Sequence, residues 1–541
     1  MFKLRFPWKG KKVEETPLEE EEKEVKVDFD RLIYEKIVSL RADYRILESY
    51  PLVDPWARAL ILERKVDGSL LYFVDEIPLT TEERQLYEKV MDILYWELEP
   101  PPSGEDPREH FKKQVSKIIR KFRLRFSSSI HPGISWQKIE YYINRDSIEY
   151  GPITPLMKDP AIEDISCDGV GRPIYVWHSR YESIPTNIRF DSDEELDDLV
   201  VKLAHKAGKH VSVAFPIIDA ILPEGHRLAA TYKREVSRDG STFTIRKFKD
   251  KPLSIINLVL GGTVSSLLAA YFWKILEFNM TGLIMGVTGA GKTTLLNALA
   301  TLLRPTIKIV TIEDTPELRL THENWVQLYS RPSYGFEGGM GEISLYDLVR
   351  VSLRYRPDVV IVGEVRGEEA KVLFQAIATG HGGITTIHAE HIDAAVKRLT
   401  SPPMEIPKGY IPLVNFAIAI KRVRIPIEPD VYRVERRVTE VWEIQDYDQY
   451  ILVSRWDPAM KSHNLMLEDS ILLPRIAEMT GTSLDAVFED IERREKIIRW
   501  MTYKRLTSYQ DVGRVITEYY RRPSKIMSMV ERELPRYESY T

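Results

Sequence analysis

Short apolar runs alternate with amphipathic stretches over residues 253–425, and this alternation is the clearest pattern in the chain. Strands that alternate with helices predict a mostly parallel β-sheet with helices on both faces. We therefore predict an α/β domain in this region. Its predicted strands are residues 283–285, 307–312, 325–328, 359–362, 384–387 and 416–421.

Two smaller units are predicted before this domain, after a charged tail at residues 1–27 that we expect to be disordered. The first is an N-terminal extension over 28–136, with a hairpin around Asp67-Gly68 and a helix that starts at a capping box, Thr80-Thr81-Glu82-Glu83. A basic amphipathic helix at 107–126 follows. Its lysines are expected to face solvent, with a membrane or an acidic partner as the alternative.

The second predicted unit is an α/β domain at residues 137–250, joined to the main domain by a charged linker at 247–252. The main domain then extends over 253–541. From about residue 430 it changes into an antiparallel strand pair and three helices. A glycine-rich loop at 335–341 is either a mobile lid or a plain surface loop.

Composition excludes some classes of protein. A net charge of −5 argues against general nucleic-acid binding, and Cys167, the single cysteine, excludes a disulfide framework within the chain and a cysteine-rich zinc site. The uncharged run at 252–273 is long enough to span a membrane. Because Gly261-Gly262 interrupts it, we predict a turn and a buried helix instead.

The segment from Gly286 to Thr293 has the pattern G-x-x-x-x-G-K-T, which is the phosphate-binding loop. An apolar strand precedes it and a helix-compatible run follows it, as this motif requires. Lys292 is expected to reach the β- and γ-phosphates and the Thr293 hydroxyl to hold Mg²⁺. The predicted nucleotide-binding residues of the loop are Gly286, Thr288, Gly289, Ala290, Gly291, Lys292, Thr293 and Thr294.

Acidic residues follow two of the predicted strands, where ligands of parallel sheets bind. Glu313 and Glu364 are both candidates to activate the attacking water, and Glu364 is also a candidate for the Mg²⁺ shell. Gly363 stands where an ordinary P-loop ATPase has an aspartate. Arg366 is expected to pair with a nearby carboxylate or to reach phosphate. His388 is expected to sense the γ-phosphate or to relay a domain movement, since His381 and His388 lack the spacing of a helical zinc pair.

Four segments occur in a fixed order: GVTGAGKTT, TIEDTPEL, RPDVVIVGEVRGEEA and GHGGITTIHAE. This set resembles the secretion-superfamily ATPases, the motors of type II secretion, type IV pili and archaella, over about residues 150–425. The resemblance implies a RecA-like P-loop core preceded by an α/β (PAS-like) domain, with ATP and Mg²⁺ bound between them. Arginines of the preceding domain would reach the nucleotide, and Arg227 and Arg246 are the candidates.

The resemblance also implies a homo-hexamer that works in the cytoplasm at the inner face of the membrane, against a polytopic membrane platform protein. Bacterial relatives usually carry a four-cysteine zinc insertion, which this sequence lacks, so no zinc is expected and the chain is similar to archaeal members. The predicted function is Mg-dependent ATP hydrolysis that powers filament assembly or protein secretion, without nucleic acid. Two alternatives stay open: a nucleic-acid-translocating or conjugation-type ring ATPase, and a scaffold that binds nucleotide without hydrolysis.

Overall fold

The computed structural model describes residues 42–102, 104–126, 131–248, 252–331, 342–428 and 431–534. The predicted tail at 1–27, the glycine-rich loop at 335–341 and the middle of the linker at 249–251 lie outside these ranges. The chain forms two compact units, one of residues 1–159 with 184–188 and one of residues 160–183 with 189–541.

The first unit contains an antiparallel sheet of β1 (Tyr44–Val53), β2 (Ala57–Arg64) and β3 (Leu70–Glu76). Strands β2 and β3 are the hairpin predicted around Asp67-Gly68, where Gly68 has a φ of +69°. The sequence did not reveal β1, because its charged residues and Pro51 break the alternation of a typical strand. Proline is tolerated in such a position because β1 is an edge strand.

The helices of the first unit are α1 (Thr81–Glu97), α2 (Pro107–Lys121), α3 (Pro132–Ser147) and the short α4 (Thr154–Lys158). The Thr80–Glu83 capping box is present as predicted. The apolar faces of α1, α2 and α3 pack together, which leaves the lysines of α2 exposed. Three of these lysines, Lys112, Lys113 and Lys121, form ion pairs with Glu140, Glu105 and Glu97 of the same unit.

The second unit begins with an antiparallel sheet in the order β5-β4-β9-β8-β7, which carries the arginine candidates. One helix, α5, lies between β6 and β7 in the chain. Strand β6 was not predicted. Residues 184–188 of β6 belong to the first unit, where Thr186 pairs with Tyr72. The bounds are β4 (Ile162–Cys167), β5 (Pro173–His178), β6 (Glu182–Arg189), α5 (Asp193–Lys206), β7 (Ile217–Ile221), β8 (Arg227–Thr231) and β9 (Thr242–Arg246).

The apolar run at 252–273 forms two helices, α6 (Ile255–Leu260) and α7 (Ser266–Glu277), separated by a turn at Gly261-Gly262. The prediction of a turn and a buried helix is confirmed, since α7 is buried along most of its length. Within the described ranges, no helix has both the length and the apolar character needed to cross a membrane.

The main sheet has six parallel strands in the order β12-β11-β13-β14-β10-β15. Alternate residues of these strands enter two separate hydrophobic cores, one with α6, α7 and α8 and one with α9, α10 and α11. The predicted two-sided parallel sheet is therefore confirmed. The bounds are β10 (Gly282–Met285), α8 (Lys292–Ala300), β11 (Ile309–Glu313), β12 (Trp325–Tyr329), α9 (Leu345–Ser352), β13 (Val359–Val362), α10 (Glu369–Ala378), β14 (Gly382–Ile387), α11 (Ile392–Thr400) and β15 (Phe416–Glu428).

An antiparallel extension completes this sheet with β16 (Val431–Asp446), β17 (Gln449–Asp457) and β18 (Ser462–Leu465). The predicted strand pair is present as β16 and β17. Strands β15 and β16, which also pair, are both longer than their apolar segments. Their charged residues between 421 and 437 concealed the pairing, because a long two-stranded hairpin needs no continuous apolar face where it leaves the core.

Four helices end the described chain: α12 (Leu472–Thr480), α13 (Leu484–Tyr503), α14 (Tyr509–Arg521) and α15 (Pro523–Glu533). Three were predicted. Pro523 occupies the first turn of α15, a position that proline favours.

Arg494 of α13 joins these helices to the main domain. Its side chain is charged, yet it is almost fully buried. Its guanidinium lies 2.5 Å from Glu277 and 3.0 Å from Asp490, and the rings of Trp273, Tyr519 and Tyr520 surround it. A buried charge that is held by several partners is costly to truncate, because the partners then lose their counter-charge.

We expect Arg494→Ala to destabilise the second unit by about 3–5 kcal/mol, because it removes a buried counter-charge from Glu277 and Asp490 and leaves them with Lys274 as their buried cationic partner. Thermal unfolding and limited proteolysis of the C-terminal helices would measure the loss. Arg493→Ala is the matched control, since Arg493 is exposed and pairs with Asp490 at 3.4 Å, and it should cost less than about 1 kcal/mol. Equal losses for both variants would contradict this account of Arg494.

Candidate nucleotide site

The phosphate-binding loop connects β10, a fully buried central strand, to the N-terminus of α8. Gly289 and Gly291 have φ angles of +71° and +97°, a backbone region in which side chains are strained. A Cβ atom at Gly286 would lie 2.5 Å from the carbonyl oxygen of Ile420. The loop therefore requires glycine at these three positions, and this requirement explains the motif in physical terms.

Lys292 is the first residue of α8, and its side chain is buried beneath the loop. Its Nζ donates to the Val287 carbonyl at 3.2 Å and lies 3.5 Å from Nδ1 of His388. Burial lowers the pKa of Lys292, while the nearby Glu364 opposes that shift. The ammonium is thus held at the position from which the motif directs it to phosphate.

His388 connects Lys292 to Glu364. Its Nε2 lies 2.8 Å from Glu364 Oε1, while Nδ1 faces the lysine. A nitrogen beside an ammonium must accept and one beside a carboxylate must donate, so the geometry assigns the Nε2–H tautomer. Burial and the charge of Lys292 lower the pKa of His388, and Glu364 raises it. The histidine predicted as a phosphate sensor therefore bridges two other predicted site residues.

Gly363 directly follows β13, and a side chain of the neighbouring strand limits the space around it. A Cβ atom there would lie 3.3 Å from Cγ of Glu313 on the neighbouring strand. Glu313 therefore crowds the position at which an ordinary P-loop ATPase has an aspartate, and Glu364 is the next acidic residue along the chain.

Glu313 is buried, and both of its carboxylate oxygens are engaged. Oε1 accepts from the backbone N–H groups of Glu317 and Leu318 at 2.9 and 3.0 Å, and Oε2 accepts from the Gln327 amide at 3.1 Å. Burial raises the pKa of Glu313 despite these bonds. In this structure the Glu313 carboxylate orders the turn after β11, so the choice between Glu313 and Glu364 as the base stays a prediction.

Glu317 lies in the acidic segment that follows β11, but it was not predicted as a site residue. Its carboxylate lies close enough to the Thr293 hydroxyl of the phosphate-binding loop for that hydroxyl to lower its pKa. Burial, followed by the charge of Glu313, raises the pKa of Glu317 to about 7, while Arg246 and Thr293 lower it. The turn that Glu313 orders brings Glu317 to the loop, and sequence spacing alone does not reveal this.

Arg227 and Arg246 are register partners on β8 and β9 of the preceding sheet. Arg227 donates to both carboxylate oxygens of Asp219, at 2.8 and 3.1 Å. Asp219 raises the pKa of Arg227, and Asp314 and Glu317 raise it further. Arg246 lies 3.0 Å from Asp164. Both arginines therefore lie near the acidic segment that follows β11.

Two further arginines complete the site. Arg366 pairs with Asp314, which confirms the predicted local ion pair. Arg436 of β16 was not predicted as a site residue: its Nε donates to the Gly289 carbonyl at 3.2 Å, and its Nη2 lies 3.1 Å from Glu163 of β4. In the sequence, Arg436 is marked only by its neighbour Arg437, and such a charged pair is typical of a solvent-exposed surface.

The loop fits ATP and the nearby side chains fit Mg²⁺. Nothing lies within 4 Å of a Cβ built on Gly289, so the loop is open on that side, and α8 presents its positive N-terminus there. The hydroxyl of Thr293 and the carboxylates of Glu317 and Glu364 are hard oxygen ligands, which Mg²⁺ prefers. The fold and this site together define a P-loop ATPase with a RecA-like core.

Comparison with known proteins identifies the family. The model for type II/IV secretion system proteins matches residues 146–412. An uncharacterized protein of Methanocaldococcus jannaschii, MJ0900, is 33% identical over 482 residues, which cover 83% of this chain and 85% of that protein. A putative conjugal transfer protein of Mycobacterium tuberculosis is 33% identical over 249 residues, which cover 44% of this chain and 69% of that protein.

Among solved structures, the VirB11 ATPase of the Brucella suis type IV secretion system is 23% identical, with a TM-score of 0.27 over 56% of this chain and 94% of that chain. The family model and the relatives agree with the motifs of the site. The chain belongs to the type II/IV secretion system protein family, and it is an ATP-hydrolysing enzyme of the secretion superfamily.

We expect kcat/KM for ATP hydrolysis to fall as the pH falls through about 7, because Glu317 accepts protons or binds cations only when it is ionised. Glu317→Gln should lower kcat/KM and remove this inflection. Glu313→Gln is the informative comparison: it removes the charge that raises the pKa of Glu317, so it should move the inflection to lower pH. A profile that is the same in the parent and in Glu317→Gln would rule out this role of Glu317.

Proposed function

We propose that the protein is a Mg²⁺-dependent, hexameric motor whose ATP hydrolysis powers the assembly of a type IV pilus-like or archaellum filament, or type II-like protein secretion. One observation carries the proposal: the loop residues Lys292 and Thr293 are linked to Glu364 and Glu317, close to arginines of the preceding domain. A site that draws on two domains responds to how those domains are arranged, as a motor requires.

The residues have the following proposed roles. Bound ATP with Mg²⁺ supplies the phosphoanhydride bond. The backbone N–H groups of the loop and Lys292 hold the phosphates. Thr293 and Glu364 hold the Mg²⁺ ion. Glu364, Glu313 or Glu317 accepts the proton of the attacking water. Arg227 and Arg246 counter the charge that develops at phosphate, provided that their present carboxylate partners release them.

His388 has a proposed sensing role. It contacts Lys292 through one ring nitrogen and Glu364 through the other, so a shift of the lysine toward phosphate changes its contact with the acidic strand end. The consequence would pass through the linker at 247–252 to the preceding domain. A polytopic platform protein, at the cytoplasmic face of the membrane, is the proposed recipient of the motion.

A conjugation-type, nucleic-acid-translocating ATPase is the second candidate. The mycobacterial relative carries the name of a putative conjugal transfer protein, which favours this alternative. The net charge of −5 disfavours it, and so do the ion pairs that hold Lys112, Lys113 and Lys121 of α2.

We expect Lys292→Ala to reduce the steady-state rate of ATP hydrolysis at least about a hundredfold, because it removes the charge directed at the phosphates. Lys397→Ala, on the exposed face of α11, is the matched control and should keep the parent rate. Sedimentation should give a mass of six chains for the parent and for both variants. A Lys292→Ala protein that turns over ATP at the parent rate would remove the loop from the mechanism, and a monomeric parent would remove the ring.

Double-stranded DNA should leave the ATPase rate within about twofold at low salt, because the net charge is −5 and three lysines of α2 are held in ion pairs. The assay compares DNA with a neutral polymer between about 50 and 200 mM salt. Stimulation of severalfold that disappears as the salt concentration rises would favour the conjugation-type function instead.

A further inference from the structure

The hairpin of β15 and β16 extends past the edge of the parallel sheet at which the phosphate-binding loop lies. Strand β15 pairs with β10 only from Phe416 to Ala419, but it continues to Glu428. Since β15 runs parallel to β10, its continuation passes the carboxyl edge of the sheet. The described residues of the hairpin between Ile420 and Val438, which are 421–428 and 431–437, therefore continue past this edge.

Two arginines of this hairpin contact the preceding domain. The Arg422 guanidinium lies 5.5 Å from the ring of Trp177 on β5 and 3.5 Å from Glu182. Arg436 Nη2 lies 3.1 and 3.2 Å from the two carboxylate oxygens of Glu163 on β4. The backbone carbonyl of Glu163 accepts from the N–H of Lys247, where the linker begins. Glu163 is thus a point at which the domain, the linker and the hairpin meet.

Arg436 also contacts the phosphate-binding loop. Its Nε donates to the Gly289 carbonyl at 3.2 Å. The N–H on the other side of the same peptide unit, that of Ala290, donates to the Val287 carbonyl at 3.2 Å. A peptide unit is planar, so its C=O and N–H groups turn together. If the Ala290 N–H turns from Val287 toward a phosphate, the Gly289 carbonyl must move relative to Arg436.

The loop can make this movement. Gly289 has a positive φ, and nothing lies within 4 Å of a Cβ built on it, so no neighbour crowds its Cα. Val287 also accepts from Lys292 in this state, so phosphate competes with the Val287 carbonyl for both of these donors. Nucleotide binding therefore changes the hydrogen bonds on both sides of the peptide that Arg436 holds.

We propose that Arg436 is a positioning residue that couples the state of the phosphate-binding loop to the preceding domain through Glu163. One guanidinium joins the Gly289 carbonyl to the Glu163 carboxylate, so a rotation of the loop peptide is transmitted to β4 and to the start of the linker. The inference rests on the proposed motor function. It adds the route by which nucleotide binding at the loop moves the other domain.

The test uses the full chain with Arg436→Gln, Glu163→Gln and the double variant. Arg433→Gln is the matched control, because Arg433 is an exposed residue of the same strand that pairs with its neighbour Glu435. Spin labels at Glu194→Cys on α5 and Asn324→Cys before β12, both exposed, report the distance between the two domains. The native Cys167 adds little background, because burial raises its pKa to about 11.

We expect a non-hydrolysable ATP analogue with Mg²⁺ to shift the label distance in the parent and in Arg433→Gln. Arg436→Gln and Glu163→Gln should each reduce this shift by at least half while the analogue still binds. The double variant should be no worse than either single one, as expected for two residues of one link. Arg436→Lys should show less than half of the parent's distance shift, since one ammonium cannot contact both the Gly289 carbonyl and the Glu163 carboxylate.

A parent-like shift in both Arg436→Gln and Glu163→Gln would overturn the coupling role, and so would a parent whose distances do not respond to the analogue. Steady-state kinetics separates the two proposals. A parent without ATP turnover contradicts the motor function itself. A parent that hydrolyses ATP, with an unchanged distance shift in the variants, contradicts only the role of Arg436. Additive losses in the double variant would also overturn it.

Discussion

The buried ammonium of Lys292 imposes the central constraint on this structure. A charge that leaves water needs partners, and those available are the Val287 carbonyl, the His388 ring and, beyond it, Glu364. These groups follow β10, β14 and β13, which are adjacent in the sheet. The ammonium can be buried only if these three strands end at one edge. The order of the central strands and the position of the lysine thus depend on each other.

A second consequence is the concentration of charge around that edge. Burial, together with the nearby charges of Glu313 and Glu364, raises the pKa of Glu317 to about 7. Like charges in a partly buried space raise each other's pKa, and arginines relieve this. Arg246 comes from the preceding domain for that purpose. The electrostatic balance of the site therefore requires both domains of the second unit.

The phosphate-binding loop was predictable because its glycines are required by the backbone itself. Gly289 and Gly291 have positive φ angles, which the loop's own backbone imposes, and Gly286 faces the Ile420 carbonyl of β15 at close range. Glu317 and Arg436 were not predictable in the same way. Glu317 reaches Thr293 only because the Glu313 carboxylate orders the intervening turn, and Arg436 reaches Gly289 only because β16 extends the hairpin beyond its apolar segment. Both depend on contacts between residues that are distant in sequence.

The sequence by itself determined the two-sided parallel sheet, the loop and the strand ends that bear carboxylates, because periodicity and backbone requirements are local properties. The arginine candidates came from the family resemblance. The tertiary structure decided which carboxylate faces the loop, where the hairpin ends and which arginine joins two domains. It also placed Glu313 of another strand beside Gly363, where an added Cβ would make a tight contact. The motif located the phosphate site, and the packing of the neighbouring strands determined which side chains surround it.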